Sequence, residues 1–90
     1  MSVKINTPAY LRPYTKDTAI VEVNGGTIKE CLNDLVKQFP DMNKMVFAKD
    51  GKLHDYVGIY FNGEFAYADE LAKPVKDGEE LHILYMIGGG

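Results

Sequence analysis

The sequence predicts a two-layer α+β domain in which a mixed sheet of four to five strands packs on one amphipathic helix. Three observations carry this. Segments at both ends of the chain alternate apolar and polar residues, one helical stripe of apolar residues lies between them, and 90 residues leave no room for a second core. A chain of this length buries only about 60 to 65% of its unfolded surface, so every apolar segment must serve the same interior.

Val3-Lys4-Ile5-Asn6-Thr7 alternates with period two, the pattern of a strand with one wet face, and Pro8 ends it. A loop through Leu11-Arg12-Pro13-Tyr14 leads to Ala19-Ile20-Val21-Glu22-Val23, a β-branched run that pairs with the first strand as a wide hairpin. Asn24-Gly25-Gly26 then stops the sheet pattern. Thr27 followed by Glu30 matches a capping box, in which the hydroxyl accepts from the third helical amide and the carboxylate reaches back to the cap amide. The helix it opens carries Ile28, Cys31, Leu32, Leu35, Val36 and Phe39 on one stripe, and Pro40 closes it. So short a helix does not persist alone and needs a sheet beneath that stripe.

Residues 41–55 are broken in pattern and polar, and read as irregular, with a tight turn at Lys49-Asp50-Gly51-Lys52. Residues 56–61, the pair Asn62-Gly63 and residues 64–67 read as a strand, a type I′ turn and a returning strand. Residues 68–75 hold a brief helical turn, and Asp77-Gly78 delivers the chain to a last strand over 81–86. Placed in the middle of the sheet and parallel to the first, that strand keeps both off the edge. This is the β-grasp arrangement, with residues 1–87 as the domain and 88–90 as a flexible glycine tail.

Charge and composition exclude several function classes. Ten Lys and Arg against 13 Asp and Glu leave a net charge of −3, which repels a nucleic-acid backbone. No apolar run approaches the roughly 18 residues of a membrane span, and the N-terminus turns polar too early for a signal peptide. A single Cys cannot form an internal disulfide. A cytoplasmic chain that binds neither nucleic acid nor membrane is the expectation. Catalytic or metal chemistry needs converging groups, and two His and one Cys supply few. Cys31 falls on the apolar stripe as a core filler, and His54 and His82 have no second ligand at metal spacing. Asn24-Gly25-Gly26-Thr27 lacks the spacing and the Lys of a phosphate-binding loop. No catalytic residue and no metal site are expected, and the chain is not expected to be an enzyme.

What stands out is the end. Gly88, Gly89 and Gly90 follow a strong strand, bury no side chain and lose the most backbone entropy on ordering. Three such residues reach about 10 Å and pass through a narrow channel without a Cβ to obstruct them. They present the Gly90 α-carboxylate, which another protein must activate before it can react. Beside the tail, alternation turns Leu81 and Ile83 to the core with Ile59 and Phe61, so Tyr60, His82, Leu84 and Met86 share the opposite face. That apolar patch with one polar His suits a partner that must grip the domain close to the tail, and the acidic surplus favours a basic rim on that partner.

Residues 81–90, with turns at Asn62-Gly63 and Asp77-Gly78, resemble the last strand and diglycine tail of ubiquitin-like proteins. More closely, the chain is similar to the bacterial sulfur carriers of the MoaD and ThiS class, and within it to those serving cysteine biosynthesis. The matching residues are Pro8, Leu11-Arg12-Pro13 and Thr15, then Gly51-Lys52-Leu53-His54, Val57, Ile59-Tyr60 and Asn62. Leu71-Ala72, Asp77-Gly78, Ile83-Leu84 and Gly89-Gly90 extend the likeness over nearly all of the chain.

The resemblance implies an E1-like adenylating partner that uses ATP and Mg²⁺, with no cofactor on this chain. The Gly90 carboxylate attacks the α-phosphate, sulfide or a persulfide donor displaces AMP, and a Gly90 thiocarboxylate results. It further implies a sulfur donor, a sulfur-accepting biosynthetic enzyme and a metalloprotease that trims the tail or releases product. Molybdopterin-pathway tails commonly carry Pro before the diglycine, whereas Tyr85-Met86-Ile87-Gly88 has none. Cysteine, homocysteine or methionine synthesis therefore precedes molybdopterin and thiamin as the destination. Two alternatives stand beside the carrier: a ubiquitin-like modifier joined to lysines through Gly90, and an interaction domain with an inert tail.

Overall fold

The computed structural model describes residues 2–66 and 71–85. β1 (Ser2–Asn6) buries Val3 and Ile5 and exposes Ser2 and Lys4, as its alternation dictates. It pairs antiparallel with β2 (Ile20–Asn24), in which Val21 and Val23 face inward. The connection expected as a loop is a 3-10 helix over Ala9–Tyr14 that buries Leu11 and carries Pro13 inside it. Thr7 and Thr15, both buried, close this segment. Their hydroxyls donate to the Thr18 carbonyl at 2.8 and 3.0 Å, so both buried hydroxyls are satisfied there.

α1 (Ile28–Gln38) starts at Thr27, whose hydroxyl accepts from the Glu30 N–H at 3.2 Å. The reciprocal half of the expected capping box is displaced by one residue, because the Glu30 carboxylate accepts from Gly26 N–H at 2.7 Å rather than from the cap amide. The orphan amides of the first turn are met from elsewhere: Ile28 N–H donates to the Lys73 carbonyl and Lys29 N–H to that of Leu71. Ile28, Cys31, Leu32 and Leu35 of α1 are buried, while Val36 and Phe39 are half-buried against the same core.

Residues 41–55 are more ordered than their polarity suggests. A 3-10 turn (Pro40–Met42) runs into α2 (Asn43–Val46), burying Met42 and Val46, four residues apart, and Phe47 then bridges Leu53 across the tight turn. β3 (Val57–Phe61), β4 (Glu64–Ala66) and β5 (Glu80–Tyr85) complete the sheet. Asn62 and Gly63 have φ of 52° and 77°, both positive as a type I′ turn requires, and the strands they join pair as Phe61 with Glu64 and Tyr60 with Phe65. The helical turn expected over 68–75 falls partly outside the described residues. Within 71–75 the chain is a turn and an isolated bridge from Pro74 to Thr27.

The strand order is β2-β1-β5-β3-β4. β5 lies in the middle, parallel to β1 through Ile5 and Leu81 and antiparallel to β3 through Ile59 and Ile83. One face of this mixed sheet, bearing Val3, Ile5, Ile59, Leu81 and Ile83, packs under α1, which is the predicted β-grasp fold. No helix among the described residues is long and apolar enough to cross a membrane.

Candidate functional site

On the face turned away from α1, side chains from all five strands fall into one row. The pairings Ile20 with Asn6, Asn6 with His82, His82 with Tyr60, and Tyr60 with Phe65 carry it across the full width of the sheet. Tyr60 is the hub. Its ring meets Phe65 edge-on at 5.1 Å and tilts toward His82 at 6.2 Å. Tyr60, Phe65 and Ile20 are 36%, 40% and 50% exposed, so the row offers apolar surface to solvent at both ends of the polar pair Asn6 and His82. Leu84 adds to it one step along β5, half-buried opposite Gly58, a partner with no side chain to cover it.

Three of the four residues expected in the patch, Tyr60, His82 and Leu84, thus share one face. Met86 lies outside the described residues, as do Gly88, Gly89 and Gly90 of the tail. Ile20 and Phe65 are additions. Phe65 was within reach of the sequence, since a two-residue turn at 62–63 pairs 60 with 65, whereas Ile20 joins the row only through the full sequence of pairings across β1 and β5.

The remaining candidates take structural places. Cys31 is fully buried, and its thiol is pushed up to about 11, chiefly by burial and further by the Glu30 and Asp34 carboxylates. It is a poor nucleophile at neutral pH. His54 stacks on Tyr56 at 4.9 Å, and its Nε2 lies 3.0 Å from the Lys44 carbonyl. Among the described residues no three His, Cys, Asp or Glu side chains gather as metal ligands. What this surface can do is bind, and β5 leads from its middle toward the C-terminus.

Comparison with known proteins places this architecture. The sequence matches the ThiS family over residues 3–90. The chain belongs to the ThiS family. It is 31% identical over 93 residues to the sulfur carrier protein CysO of Mycobacterium tuberculosis, covering 100% of both chains. CysO in the crystal structure of the Amycolatopsis orientalis BexX/CysO complex superposes with a TM-score of 0.85 at 30% identity, covering 98% of this chain and 99% of that one. The small archaeal modifier protein 1 of Haloferax volcanii is 34% identical over 74 residues, 81% of this chain and 82% of that one. Its crystal structure superposes with a TM-score of 0.84. The relatives are thus small carrier and modifier proteins of the same ubiquitin-like fold.

Proposed function

We propose that this chain is a sulfur carrier whose Gly90 carboxylate is adenylated by an E1-like partner and converted to a thiocarboxylate. The observation that carries the reading is end-to-end similarity to CysO, in sequence and in fold, by a chain whose family match runs through the terminal glycines. A carboxylate is a poor acyl donor, because the leaving group would be an oxide. On the partner, with ATP and Mg²⁺, a Gly90 oxygen attacks the α-phosphorus and pyrophosphate leaves, so the acyl carbon now carries AMP. Hydrosulfide then forms the C–S bond as the C–O bond to AMP breaks. The thiocarboxylate delivers sulfur to an acceptor held by a biosynthetic enzyme, and the carrier serves throughout as a substrate rather than a catalyst.

The exposed row through Tyr60 and His82, with Leu84, is the grip for the activating partner, and the glycines reach the ATP. Cysteine, homocysteine or methionine synthesis in the cytoplasm is the destination that the similarity to CysO favours. Incubating the chain with its activating enzyme, MgATP and sulfide, then measuring intact mass, tests the reading. An oxygen-to-sulfur exchange localised to Gly90 is expected, and an unchanged mass alongside active enzyme refutes it.

The similarity to the small archaeal modifier protein 1 favours a second reading, transfer of activated Gly90 to lysine amines. Its signature is a Gly90 isopeptide remnant on the lysines of other proteins in cells expressing the chain.

A further inference from the structure

The helix layer carries a groove for which the tail chemistry has no use. It opens between α1 and the turn after α2 and has a volume of about 540 Å³. Lys29 and Asn33, one helical turn apart on α1, line one side, and Lys44, Phe47, Ala48 and Lys49 from α2 and the turn after it line the other. A second depression, sharing Lys29 and Gly51 with the first, prolongs it past Leu71 and adds Lys52.

Lys29, Lys44, Lys49 and Lys52 are four of the ten Lys and Arg residues in a chain whose net charge is −3. Positive charge is therefore gathered here against the sign of the whole molecule. Among the described residues, the Glu30 and Asp50 carboxylates beside these lysines accept from backbone amides, Glu30 from Gly26 N–H at 2.7 Å and Asp50 from Lys52 N–H at 3.0 Å. Among the described residues none of the four ammonium groups has an ion-pair partner. Lys29 Nζ instead sits 5.8 Å from the centre of the Phe47 ring and Lys44 Nζ 5.9 Å from that of Tyr14. Such contacts hold an ammonium group in place without cancelling its charge.

We propose that this groove binds an acidic segment of a partner protein. Lysines spaced along a trough act as separate point charges and match carboxylates spaced along an extended chain. A bidentate phosphate site would use an Arg fork, and no Arg is among the described residues lining the groove. Phe47 in the lining offers an apolar side chain a contact between the acids. The groove belongs to the helix layer and the Tyr60 row to the other face of the sheet, so the two surfaces can be occupied together. That a second protein docks here while the activator holds the tail rests on the carrier reading; the preference for acidic segments does not.

The test is titration of the full ¹⁵N-labelled chain with a synthetic peptide of alternating Glu and Phe, followed by amide shifts. Shifts confined to residues 27–33, 43–54 and 71–72 are expected, with Tyr60 and His82 unmoved. Affinity should fall at least about tenfold once salt shortens the Debye length to about 3 Å. The combined substitution Lys29→Glu, Lys44→Glu and Lys49→Glu should abolish the shifts while Gly90 thiocarboxylation proceeds at the unsubstituted rate. Lys49→Glu alone, at an exposed turn, should weaken binding even if the triple variant folds poorly. Equal binding of a Gln-Phe peptide, shifts on the sheet face, or matching effects of inorganic phosphate or an oligonucleotide would each overturn the proposal. Peptide binding intact in a chain that is never thiocarboxylated would count against the carrier reading alone.

Discussion

Gly25 has no Cβ for a steric reason that the sequence does not announce. A methyl group built there would lie 2.7 Å from the Cys31 amide nitrogen and 2.9 Å from the Glu30 carbonyl carbon, both backbone atoms. The chain enters α1 too closely for any side chain, so Gly25→Ala should cost about 1 to 3 kcal/mol, read as a lower urea midpoint at constant slope. A cost below about 0.5 kcal/mol, the scatter of ordinary surface changes, would mean that the entry relaxes freely. Cys31, four residues into α1, links burial to pH. Its thiol is raised from 9.0 to about 11 in the folded chain, so the folded state holds this proton more tightly than the unfolded one. The contribution is complete below pH 9 and is lost as pH rises toward 11. Urea melts across that window should show a fall in stability that is shallower in Cys31→Ala, and identical slopes would refute the assignment.

At the scale of elements, α1 depends on the sheet, and the sheet in turn depends on α1. Leu35 is fully buried on the stripe, and Leu35→Ala should cost about 2 to 5 kcal/mol in equilibrium unfolding. On its flank, Gln38 Nε2 donates to the Glu22 carbonyl at 2.8 Å and Asp34 accepts from the Asn24 N–H at 2.9 Å. Those groups belong to the outer edge of β2, the last strand on that side, so α1 covers an edge that would otherwise recruit another strand. Replacing both Asp34 and Gln38 by Ala should increase concentration-dependent self-association in sedimentation velocity, and a strictly monomeric variant would show that the edge is guarded by something else. The strong periods of β1, β2, α1 and the hairpin at 62–63 made these elements legible in the sequence. The 3-10 helix over Ala9–Tyr14 and α2 were not, because one or two turns supply too few residues to reveal a period. Their existence follows from Leu11, Met42 and Val46 finding the core, which is a tertiary fact.

Across the whole molecule, the topology fixes the exposed row relative to the central strand. β5 is clamped between β1 and β3, so the strand leading to the tail cannot shift without breaking two ladders, and the exposed row stands at a fixed register beside it. Tyr60, His82 and Leu84 were legible as one face because period-two alternation decides facing wherever one face is buried. Ile20 was not, since no local pattern tells which strands become neighbours. If the patch grips the activating enzyme while the glycines enter its channel, two substitutions should fail in different ways. Leu84→Asp places a charge in half-buried apolar surface at the docking face and should raise KM for the carrier about tenfold with kcat nearly unchanged, the pattern of lost uniform binding. Gly89→Val leaves the patch intact but adds a branched side chain where the tail must pass, so kcat for adenylation should fall with KM little altered. Pyrophosphate release measured over a range of carrier concentrations separates the two. If Leu84→Asp lowered only kcat, or Gly89→Val were adenylated at the wild-type rate, grip and thread would not be distinct, and the partner would have to hold this domain by another surface.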